Sequence, residues 1–181
     1  LLFNKRVLSE ARDKQLLLFE RLKFLSITAS NLDEFFMVRI GSLVDMIHAE
    51  YTKKDIAGMS AKEQLDALME ETHKFAALQY STYNRMLLPQ LRANGLNFVE
   101  HHEQLTERQA QYVDEYFEEN VYPVLTPMAV DSSRPFPLIR NKTLNIGALV
   151  AKKGEKDTEI EFATVQVPSV LPRVVRIPAA K

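Results

Sequence analysis

Apolar residues recur at intervals of three and four from residue 7 to residue 87, and this periodicity constrains the fold more than any other feature of the chain. Between Asn4 and Asp13 it sets Val7, Leu8 and Ala11 on one face of a short helix, and Leu17, Leu18, Leu22, Leu25 and Ala29 make a second stripe. A third helix is expected to open at Asn31, a favoured N-cap residue with Glu34 three positions on as capping-box partner, and to run to about Tyr51. Its core face reads Leu32, Phe35, Phe36, Ile40, Leu43 and Ile47. Ser60-Ala61-Lys62-Glu63 is another capping box, and it opens the longest helix, with Leu65, Leu68, Met69, Thr72, Phe75, Ala76, Gln79, Tyr83, Met86 and Leu87 at helical spacing. Pro89 is expected to kink or interrupt that helix, and Asn94-Gly95 to end it through a left-handed residue. Amphipathic helices with short links hide their stripes by packing on one another, so residues 1–94 are expected to form an antiparallel helical bundle.

The pattern changes after Gly95. Leu96-Asn97-Phe98-Val99 reads as a short strand, and Thr106-Glu107-Arg108-Gln109 caps one further helix ending before Pro123. Four prolines between Pro123 and Pro137 suit a loop of extended segments. Leu144, Ile146, Ala148 and Val150 then alternate along a strand, Lys152 to Asp157 turns the chain as a solvated hairpin, and Ile160, Phe162, Val165 and Val167 return it. Residues 95–181 are therefore expected to be the beginning of an α+β domain, and the fold class of the whole is mainly α.

Composition narrows function mostly by exclusion. Lys and Arg total 23 against 24 Asp and Glu, a formal net charge of -1, so no overall field recruits nucleic acid or anionic lipid and any polyanion site must be local. The absence of cysteine removes thiolate metal sites and disulfides, and cytoplasm is the default location. No apolar run is long enough to cross a bilayer. The chain opens on Leu1 and stops just after an extended run, so both ends are expected to be cuts in a longer polypeptide.

Arg39 falls inside the stripe of the third helix, where a guanidinium needs a partner. One reading pairs it with Glu10 or Glu20 from a neighbouring helix; the other turns it toward an interface where it attracts phosphate oxygens, which makes it a secondary ligand-facing candidate. Lys5, Arg6, Arg12, Lys14, Arg21 and Lys23 are basic but lie among Glu10, Asp13 and Glu20. They suit a solvated helix face, with a polyphosphate track as the minority reading. His48 and His73 stand singly and His101-His102 point apart, so no metal site is assigned. There is no Gly-x-Ser-x-Gly and no glycine-rich phosphate loop, so no catalytic residue is assigned either.

Several separated motifs, in collinear order, resemble bacterial polyphosphate kinase of the long-chain-synthesising type. Phe3-Asn4-Lys5-Arg6-Val7-Leu8-Ser9-Glu10-Ala11, Glu20 to Leu25, and Ser30-Asn31-Leu32-Asp33-Glu34-Phe35-Phe36-Met37-Val38-Arg39 look like that family's amino-terminal region. Tyr122-Pro123-Val124-Leu125-Thr126-Pro127-Met128-Ala129-Val130-Asp131, Pro135-Phe136-Pro137 and Phe162 to Pro168 look like the start of its head domain. The resemblance implies that Asn31 contacts ATP, at the edge of a tunnel otherwise lined by later domains. It further implies an intact enzyme that moves the terminal phosphoryl group of ATP to polyphosphate, reversibly, through a phosphohistidine and with magnesium. The phosphoryl-accepting histidine would lie beyond Lys181, so this portion would be inactive alone and bind no cofactor stably. ATP, ADP and polyphosphate would be partners of the intact enzyme, which would be a cytoplasmic homo-oligomer with a membrane-associated pool and with head-domain dimer contacts. The competing reading is a non-enzymatic helical interaction or polyanion-binding module.

Overall fold

The computed structural model describes residues 1–130, 136–151 and 160–178. The chain divides into two compact units, Leu1–Phe98 and Val99–Lys181. The first is the helical bundle: α1 (Leu2–Arg12), α2 (Leu18–Phe35), α3 (Gly41–His48), α4 (Ala61–Thr82) and α5 (Leu88–Ala93). A five-residue π-helical turn, Phe36–Ile40, joins α2 to α3, and a second, Tyr83–Leu87, joins α4 to α5.

The α4 capping box forms as its sequence requires, with the Ser60 hydroxyl accepting from the Glu63 amide and the Glu63 carboxylate accepting from the Ser60 amide. Those bonds to the charged form hold the Glu63 carboxyl below its ordinary range. Pro89 sits in the first turn of α5, where its missing donor costs least, and the wide turn before it absorbs the mismatch. Gly95, at φ +82, ends α5 in a Schellman arrangement: the Leu96 amide donates to the Leu91 carbonyl and the Gly95 amide to the Arg92 carbonyl.

Leu8, Ala11, Leu25, Phe75 and Leu87 form the centre of the core, with Leu18, Leu22, Phe24, Leu32 and Tyr83 packed against them. One cation lies within the same interior. Arg21 is only 2% exposed, and it donates from Nε to the Ala11 carbonyl (3.0 Å) and from Nη1 to Gln90 Oε1 (3.0 Å). Its Nη2 is the one buried side-chain nitrogen or oxygen without a partner among the described residues. The guanidinium thus crosses from the carbonyl end of α1, where the helix dipole favours positive charge, to α5. Arg21→Lys keeps the charge but loses the planar fork that reaches both acceptors. It is expected to lower the stability of the bundle by about 1–3 kcal/mol in chemical unfolding; an unchanged midpoint would show that the fork contributes nothing.

The second unit holds α6 (Glu107–Tyr116), a π-helical turn (Phe117–Val121), and a sheet of β1 (Thr126–Val130), β2 (Leu144–Val150) and β3 (Glu161–Val167). The strand order is β1-β3-β2, antiparallel throughout, with Ala163 opposite both Ala129 and Ala148. Thr106 and Gln109 form the expected capping box on α6. Phe162 stacks on Phe136, and a Cβ at Gly147 would stand 3.1 Å from the Phe162 ring, so glycine makes room for it.

Four readings of the sequence need correction. No helix begins at Asn31, because α2 runs unbroken through it. The residues Leu96 to Val99 form no strand. The proline-rich stretch contains β1, which tolerates Pro127 because it lies at the sheet edge. The helix expected to run to about Tyr51 ends at His48. The expected turn from Lys152 to Asp157 lies outside the described residues.

Candidate functional site

Asn31 and Arg39 line one open hollow of about 390 Å³ in the helical unit, together with Asn4, Leu32, Glu34, Phe35 and Val38 and the start of α1. The two residues singled out in the sequence therefore do come to one place, although by a different local structure from the one expected.

Asn31 is an interior residue of α2, three turns and more from that helix's first residue. Its backbone amide belongs to the helix, so neither an unpaired amide nor the positive end of a dipole is available there. The intrinsic cost of Ser30 and Asn31 within a helix is a few tenths of a kcal/mol each, and packing overrides it. What Asn31 presents is its side chain. Its Nδ2 donates to Asn4 Oδ1 (3.1 Å), and Asn4 Nδ2 donates to the Thr28 carbonyl (2.9 Å). The Thr28 hydroxyl, fully buried, accepts from Gln79 Nε2 (2.9 Å) and donates to the Leu25 carbonyl (2.6 Å). A continuous chain of polar contacts thus runs from the hollow into the bundle and ties α1, α2 and α4 together.

Arg39 is not buried and makes no ion pair with Glu10 or Glu20; it is exposed, and its Nη2 donates to Gln64 Oε1 (3.1 Å) across to α4. The cause is the π-helical turn that contains it. A 3.6-residue projection from Leu32 and Phe36 puts Arg39 in the stripe, but the wider turn adds a residue to the coil and rotates it out. The buried arginine that the stripe does carry is Arg21. It is spaced with Leu18, Leu25 and Thr28, a helical repeat legible in the sequence.

Glu34 on the wall opposes Arg39 in sign, so the hollow is not a dedicated trap for anions. The polyphosphate track fares worse. Lys5 bonds Glu71 (2.9 Å), Lys23 bonds Glu20 (2.8 Å), and Arg21 is interior, so these three do not make a continuous basic surface. The Lys5 ammonium, with Lys74, holds the Glu71 carboxyl below its ordinary range. Asn4, Thr28 and Gln79 escaped the sequence reading as a group. Asn4 shares a face with Leu8 and Ala11, and that spacing was the available signal.

Comparison with known proteins decides what kind of chain carries this hollow. Residues 1–99 match the model of the polyphosphate kinase N-terminal domain, and residues 108–181 match that of the polyphosphate kinase middle domain. The chain belongs to the polyphosphate kinase family. It is 51% identical over 178 residues to a polyphosphate kinase of Lactiplantibacillus plantarum, covering 98% of this chain and 24% of that protein. It is 42% identical over 182 residues to one of Bacillus anthracis, covering 99% and 26%. The crystal structure of polyphosphate kinase from Porphyromonas gingivalis superposes with a TM-score of 0.80 at 30% identity, over 98% of this chain and 25% of that one. The chain thus spans about a quarter of the length of its relatives and matches their amino-terminal region. Among the described residues, no helix is long and apolar enough to cross a membrane.

Proposed function

We propose that these 181 residues are the amino-terminal portion of an ATP:polyphosphate phosphotransferase, and that they supply one edge of its ATP site through Asn31, with Arg39 as a secondary ligand-facing group. The observation that carries this reading is the match to named polyphosphate kinases along almost the whole chain, together with the placement of Asn31 and Arg39 on one hollow.

Phosphoryl transfer depends on positioning the reactants and neutralising charge, which requires a nucleophile, cations and magnesium at the transferred group. In this reading magnesium and the phosphohistidine belong to the rest of the enzyme, as the family resemblance implies. The contribution of this portion is orientation: a side-chain amide held by a buried network, on a rigid helix. The intact enzyme would work as a homo-oligomer in the cytoplasm, some of it held at the membrane, with ATP, ADP and polyphosphate as its substrates and products.

The test separates the portion from the whole. The intact protein is expected to convert ATP and polyphosphate to ADP and a longer polyphosphate, while the purified 181-residue chain gives no turnover. Phosphoryl transfer by the short chain would overturn the division of labour, and its absence in the intact protein would overturn the assignment.

A further inference from the structure

The polarity of the bonds leading to the hollow is forced at one end. A backbone carbonyl can only accept, so Asn4 must face the Thr28 carbonyl with its NH2 group, and the observed Nδ2 contact at 2.9 Å is the consequence. Its Oδ1 is then the atom left to face Asn31, which must donate from Nδ2, as it does at 3.1 Å. Asn4 is 6% exposed, so water cannot readily take over either bond. Asn31 therefore cannot flip its amide without leaving Asn4 Oδ1 opposite another oxygen.

We propose that Asn4 is a positioning residue that fixes the amide of Asn31, so that Asn31 keeps its Oδ1 and one N–H for a ligand. This rests on the reading of Asn31 as a nucleotide contact. An oxygen acceptor beside a single N–H matches a neighbouring donor and acceptor, as on the edge of adenine, better than phosphate oxygens that only accept. The mixed signs of Arg39 and Glu34 on the same wall agree with a neutral ligand group there.

A double-substitution cycle in the intact kinase tests this, with KM for ATP, kcat and thermal unfolding measured for Asn4→Ala, Asn31→Ala and the pair. Asn4→Ala is expected to raise KM about threefold to tenfold, from loss of an oriented hydrogen bond, with kcat within about twofold of wild type. Adding it to Asn31→Ala is expected to raise KM no further, since it acts only through Asn31. Thr82→Val, which removes a buried hydroxyl bonded to Arg12 elsewhere in the bundle, is expected to lower the unfolding temperature without changing KM. Equal rises in KM with and without Asn31, a KM rise in Thr82→Val matching that of Asn4→Ala, or an unchanged KM in Asn4→Ala while Asn31→Ala raises it, would each overturn the positioning role and leave the nucleotide reading standing. An unchanged KM in Asn31→Ala would overturn the reading beneath it. Should Asn4→Ala not fold, Asn4→Leu, which refills the volume without polar atoms, goes through the same cycle with the same expectations.

Discussion

Phe75→Ala is expected to destabilise the helical unit by about 3–5 kcal/mol, the range for deleting a fully buried aromatic ring. Phe75 is 1% exposed and belongs to the cluster formed by Leu8, Ala11, Leu25 and Leu87, so removing it empties the meeting point of α1, α2, α4 and the turn after α4. A small domain has about 5–15 kcal/mol of stability in all, so a large share of the folded population would be lost on mild heating. Tyr80, one and a half turns further along α4, is 70% exposed, and Tyr80→Ala is the matched control with an expected change within about 0.5 kcal/mol. Urea unfolding of the purified chain, followed by its helical signal, measures both. A Phe75→Ala midpoint close to that of Tyr80→Ala would mean that the core has been misplaced.

The bundle was legible because its signals are local. Capping boxes at Ser60 and Thr106, the left-handed stop at Gly95 and the stripes through Leu8, Leu25 and Phe75 each depend on residues within a few positions of one another, and each appears in the folded chain. The antiparallel pairing of Leu144 to Val150 with the returning strand was readable for the same reason, from alternation on either side of the charged residues Lys152 to Asp157. What depended on distant partners was not readable. The stretch from Leu96 to Val99 has the composition of a strand but pairs with none, whereas Thr126 to Val130 becomes a strand, despite Pro127, by pairing with β3.

The site shows the same division. Asn31 carries good N-cap chemistry, but packing keeps it inside α2, where its side chain donates to Asn4, 27 positions earlier. Arg39 is displaced by a π-helical turn, which no 3.6-residue projection anticipates, and the buried arginine proves to be Arg21. The family resemblance named Asn31 by residue identity and not by local conformation, and Asn31 lines the hollow.

The central claim is that Asn31 contacts the nucleotide, and it is tested most directly by equilibrium binding of ATP to the intact kinase with and without Asn31→Ala. The substitution removes one oriented amide from a partly exposed wall, leaves the helix-forming tendency of α2 intact or improved, and strands only Asn4 Oδ1. Binding is expected to weaken by about tenfold, equivalent to about 1.4 kcal/mol, with unfolding temperature changed by no more than a few degrees. Wild-type affinity for ATP in a folded Asn31→Ala enzyme would contradict the claim, and this hollow would then be a surface feature of a stable bundle.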